Sequence, residues 1–165
     1  MTNTVANKTI IGVLFFLLTS ISQSAFGAKH PIIQFYKEHK FDRDVEAKHI
    51  PPKLASLFLD DKEYKDARDV LQAMRTLRYL NYYGEQMQIS KYAQGAIAAK
   101  GDYESIFDEV EGSRTVNVFG KKKGNEVREV FAVVQTKTQF LLLIGKGKLK
   151  KSHVRNIPKL TKEIQ

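Results

Sequence analysis

The chain contains no cysteine. Disulfides, thiolate metal sites, a cysteine nucleophile and a lipid-bearing N-terminal cysteine are therefore excluded. The absence does not fix a compartment, because an oxidising one permits disulfides without requiring them. Long apolar runs are scarce too. The longest, Ile10–Leu18 (IIGVLFFLL), would span roughly 14 Å as a helix against a ~30 Å bilayer core. Nothing else is long and apolar enough to cross a membrane. There is no internal repeat and no low-complexity tract. His30, His39, His49 and His153 show no HExxH or comparable spacing, so no metal site is expected. No serine sits in a G-x-S-x-G elbow. Gly145-Lys146-Gly147 lacks a third glycine and no GK[ST] follows, so it reads as a glycine pair ending a strand, not a phosphate loop. The acids Asp108, Glu109 and Glu111 precede a turn and read as solvated. No catalytic residue and no cofactor is expected.

Acidic charge is also in short supply. Against 18 Asp and Glu stand 27 Lys and Arg, giving +9 and favouring anionic partners. With 165 residues and 42% hydrophobic content, the chain suits one domain with a proper core. Its first 27 residues read as a secretory signal peptide. Lys8 supplies the positive start, Ile10–Leu18 the apolar region, and Ala25 and Gly27 the small residues before a cut between Gly27 and Ala28. An uncleaved anchor is the alternative. The expected mature chain is 28–165, one α+β domain with a basic C-terminal tail, exported to the periplasm or, alternatively, secreted.

The rest is organised around residues 114–149. Val116 and Val118 alternate with Thr115 and Asn117, Val127–Val134 is rich in β-branched residues, and Phe140–Ile144 is the continuous apolar run FLLLI. Lys121–Asn125 and Gln135–Gln139 supply the turns. This predicts a three-stranded antiparallel meander whose FLLLI strand is covered on both faces. Around it the pattern predicts a short helix from Pro31 to His39, an edge strand at Asp44–Ile50, and a helix opened by Pro52. A longer helix carries Tyr64, Ala67, Val70, Leu71, Met74 and Leu77. A strand follows at Tyr79–Tyr83, then a helix from Ile89 closed near Gly101. Asp102–Val110 fits a helix or a strand. The tail after Leu149 is basic, with Pro158 limiting any helix. The expected fold is α+β, with the meander inside a mixed sheet of about five strands and helices mainly on one face. The second face of FLLLI then needs a lid, a ligand or a second subunit.

Four stretches resemble the domain-of-unknown-function 4252 family, small exported bacterial proteins. They are FYKEHKFDRDVEAKHIPPKLASLFL, LQAMRTLRYLNYY, YESIFDEVEGSRTVNVFGKKKGNEVREVFAVV and FLLLIGKGKLKKSHVRNI. The resemblance covers roughly residues 32–160 and implies the fold and the export. It supplies no catalytic residues. Many members are lipoproteins or plain exported proteins, and this chain lacks the lipid-bearing cysteine.

Glu129 lies on a strand between Val127 and Phe131, and if buried it needs a partner from a neighbouring element. The positive signal is basic. Lys146, Lys148, Lys150, Lys151 and Arg155 crowd the end of the chain, and Lys121, Lys122 and Lys123 share one turn. Read functionally they form an anion-binding surface for lipid headgroups, lipopolysaccharide or another polyanion; read plainly they are a solubilising surface. Tyr79, Tyr82 and Tyr83 could stack bases, but export removes most nucleic acid targets. Three functions follow: a non-catalytic envelope protein binding an anionic component or another envelope protein; an enzyme with a site built from unremarkable residues; and a subunit, including of a homo-oligomer, whose second sheet face a partner closes.

Overall fold

The computed structural model describes residues 30–164. The expected signal segment and its expected cut at Gly27–Ala28 lie outside the described residues. The architecture is one six-stranded sheet between two helical layers, ordered α1 (Pro31–His39), β1 (Val45–Ile50), α2 (Pro52–Ser56), α3 (Lys65–Ala73), β2 (Met74–Tyr83), α4 (Gln86–Ala98), β3 (Glu104–Glu111), β4 (Arg114–Lys123), β5 (Glu126–Gln135), β6 (Gln139–Leu149), α5 (Lys151–Arg155) and α6 (Ile157–Glu163). The strand order is β1-β2-β6-β5-β4-β3. Every neighbouring pair is antiparallel.

The expected mixed sheet of about five strands is thus a six-stranded antiparallel one. The meander has four strands, because the ambiguous stretch from Asp102 is β3 and pairs with β4 from Glu104↔Gly120 to Glu111↔Arg114. Helix α3 ends at Ala73, and Met74 and Leu77 belong to β2. Their spacing suits a helix, but β2 gains ladders on both sides, to β1 and to β6. Those tertiary hydrogen bonds outweigh a weak local preference.

Helices on both faces correct the expectation of one main helical face. FLLLI lies in β6, the third strand of the sheet, and alternates between two cores. Leu141, Leu143 and Leu149 face Val70, Leu71, Val154, Ile157 and Leu160. Phe140, Leu142 and Ile144 face Ile32, Phe35, Ile89, Tyr92 and Ala96. The lid on the second face is therefore the chain's own C-terminus. Pro158 does not limit a helix there. It occupies the first turn of α6, where a missing N–H costs nothing.

Gly147 allows a close backbone approach at the α3–β2 junction. A Cβ there would overlap the Ala73 carbonyl oxygen and stand 2.8 Å from Met74 Cα, both backbone atoms at the α3–β2 junction. A Cβ on Gly145 would meet the flexible tip of Met74 at 3.0 Å instead. We expect Gly147→Ala to destabilise by about 1–3 kcal/mol or more and Gly145→Ala by clearly less, as read from urea midpoints. Equal midpoints would place the strain elsewhere.

Candidate functional site

The antiparallel register brings the two basic groups to the same end of the sheet. β4 and β6 both finish there, with β5 between them. Lys122 is paired with Val127, and Val127 with Leu149. One row inward, Lys121 is paired with Glu129, and Glu129 with Lys146. Two strand spacings, about 10 Å, separate the two groups. Lys121–Lys123 are the last residues of β4, while the turn itself is Gly124-Asn125.

Strand alternation then divides these side chains between the faces. Lys121 and Lys146 lie on the α1/α4 face around Glu129. The Tyr103 hydroxyl donates to Glu129 Oε2 at 2.7 Å and Lys146 Nζ to Oε1 at 3.2 Å. His30 Nδ1 stands 3.6 Å from Oε2. Lys121 reaches Asp102 at 2.6 Å and lies 4.6 Å from the Tyr103 ring centroid. Burial pushes the Glu129 pKa up, but the hydrogen bonds from Tyr103 and Lys146, with the charges of Lys146 and His30, more than offset it, and the net position is below the ordinary glutamate value. Burial, then the Glu129 bond, pushes the Tyr103 phenol up. Glu129 stays ionised and Tyr103 protonated near neutrality, and both carboxylate oxygens are occupied. The partners that Glu129 requires come from the loop before β3, from β6 and from the start of α1. This arrangement ties those three elements together.

Lys122 lies on the other face, where it meets Lys151 and Arg155. These three cations rim a cleft of about 590 Å³ whose apolar lining includes Ile106, Phe107, Val127 and Val154. Two sequence features shape it. Ile106 is the extra residue of a β-bulge, since Ser105 pairs with Phe119 and Phe107 with Val118. Gly120 leaves the space that the Ile106 and Val127 side chains fill, because a Cβ there would meet both. Lys151 and Arg155 are four apart on α5 and share one side of it. Lys122 also pairs with Glu104 at 3.0 Å. The ion pairs among the described residues engage Lys121, Lys122 and Lys146 and leave Lys123, Lys148, Lys150, Lys151 and Arg155 without an acid. The cleft itself could not be foreseen, because Ile106 and Phe107 fell in the stretch that fitted helix and strand alike.

The model of a domain of unknown function, DUF4252, matches residues 40–157. The chain belongs to the DUF4252 family. No curated protein matches it, and no solved structure does. The cleft of this DUF4252 chain is built wholly from residues inside the matched segment, whereas the Glu129 network draws His30 from outside it. Among the described residues no helix is long and apolar enough to cross a membrane, and no three His, Asp or Glu side chains gather as a metal would need.

The Glu129 network generates a pH prediction. Its folded pKa lies below the unfolded one, so its contribution is complete above the unfolded value of ~4.3 and is lost as the pH falls through the folded value. In Glu129→Gln the stability lost between neutral pH and about pH 3 should shrink relative to wild type, with a cost of about 1 kcal/mol at pH 7. Urea midpoints measured across that range check it; parallel curves would mean that Glu129 titrates normally.

Proposed function

We propose that this DUF4252 protein is an exported, non-catalytic binding protein of the bacterial envelope, and that the basic end of its sheet holds an anionic envelope component such as lipid headgroups or lipopolysaccharide. The observation that carries the reading is the convergence of two basic stretches, about 25 residues apart in sequence, on one end of the fold, with five of the eight cations in no ion pair among the described residues. A solubilising surface needs no such gathering. Lysines dominate, which suits loose charge attraction over fixed two-pronged recognition of one phosphate. About 1 kcal/mol per basic side chain near an anionic membrane gives several together a useful affinity, screened by salt. The coverage of both sheet faces by the chain itself removes the reason to invoke a partner there.

The test is co-sedimentation of the mature protein with phosphatidylglycerol-containing and neutral vesicles at low and moderate salt. The comparison variant changes Lys148, Lys150, Lys151 and Arg155 to glutamine and spares Lys146, whose loss would disturb Glu129. Wild type should sediment with anionic vesicles only, weaken with salt, and lose most binding in the variant. Equal sedimentation of the two would return these residues to a plain solvated surface.

Export carries its own check. N-terminal sequencing of envelope material should read Ala28-Lys29-His30, and full-length protein confined to the cytosol would contradict it.

A further inference from the structure

We infer that the cleft between the β3–β4–β5 end of the sheet and α5 is a binding site for a single-chain anionic amphiphile, with the aliphatic chain over Ile106, Phe107, Val127 and Val154 and the anionic head at Lys151 and Arg155. The inference rests on the basic-end reading and deepens it, because a charged surface alone requires no apolar interior.

Three observations carry it. The first is size. About 590 Å³ lies within the 300–1,000 Å³ that small-ligand sites occupy. The second is the division of chemistry within the cleft. The apolar side chains come from two strands of the sheet and from α5, while the cations stand on α5 and at the end of β4. A ligand that is apolar along its length and anionic at one end complements that division, whereas a bare phosphate would leave the apolar lining unused. The third is charge balance. Glu104 engages Lys122, but Lys151 and Arg155 have no acid among the described residues, and no carboxylate lines the cleft. A chain that enters therefore meets no carboxylate in the lining, and its head meets two cations, four residues apart, that form no ion pair among the described residues.

The chain-length dependence separates this site from surface attraction. Each methylene withdrawn from water contributes roughly a four-fold gain in affinity when fully covered. Acetate, octanoate and decanoate, the latter two below their micelle-forming concentrations, are titrated into the full mature protein and followed by methyl NMR. Decanoate should shift Ile106, Val127 and Val154 saturably, leave Ile33 and Ile144 on the opposite face unmoved, and bind about ten-fold more tightly than octanoate. Acetate should give no saturable shift at the same concentrations. The double variant Lys151→Gln, Arg155→Gln, whose changes are confined to the cleft's rim, should weaken decanoate by about ten-fold or more without altering the urea midpoint. Equal affinities for octanoate and decanoate, shifts centred on Ile33 and Ile144, or unchanged binding by the double variant would each overturn the site. Binding to anionic vesicles without any decanoate binding would leave the basic-end reading standing and sink the cleft. Decanoate binding by a protein that ignores anionic vesicles would do the reverse.

Discussion

The structure depends on covering both faces of β6. Phe140 to Ile144 is apolar at every position, so whichever way a side chain points it must leave water. With β6 interior to the sheet, each face needs its own layer. The N-terminal half of the chain supplies α1 and α4 to one face, and α3 with the C-terminal helices closes the other. The C-terminal segment has to return across the sheet for this to happen. That return carries Lys151 and Arg155 over the ends of β4 and β5. The basic rim of the cleft is thus a consequence of covering FLLLI from both sides.

What was legible in the sequence follows from which signals were local. The meander, the α1 and α4 stripes and the edge position of β1 rest on period-2 or period-3.6 patterns within one element, and these appear in the fold. The count of strands was not legible. The stretch from Asp102 fits helix and strand alike, and only pairing with β4 makes it the sixth strand; Met74 to Leu77 likewise joins β2 only through pairing with β1 and β6. The C-terminal helices were hidden by composition. Seven residues of Lys or Arg from Lys146 onward suggest a solvated tail, yet Val154, Ile157 and Leu160 recur at the spacing of a buried stripe and reach the core. Charge on the outer side of such short helices masked the apolar inner side. For Glu129 the need for a partner was readable, but its identity was not. Tyr103 lies 26 residues away and Lys146 lies 17 away, joined by register and by a loop docking on the sheet.

The same alternation explains why the eight basic positions do not act as one set. Adjacent residues on a strand point to opposite faces, so Lys121 joins the Glu129 network while Lys122 rims the cleft. Lys146 faces Glu129 from β6 and is likewise committed. These two lysines sit in rows with acids, where a cross-strand pair stabilises the sheet and adds nothing to the field seen by a ligand. Lys148 falls in the irregular row between Glu129↔Lys146 and Val127↔Leu149, Lys150 follows the end of β6, and Lys151 and Arg155 stand on α5; none of the four forms an ion pair among the described residues. Free positive charge therefore accumulates where strand pairing becomes irregular and then stops. In this fold that is also where the bulge at Ile106 turns an apolar side chain toward α5. The coincidence of unpaired cations with an uncovered apolar surface is what distinguishes this end of the sheet from an ordinary solubilising surface. It arises from two independent causes, ladder termination for the charge and the β3 bulge for the apolar lining, so each can be altered by substitution without removing the other.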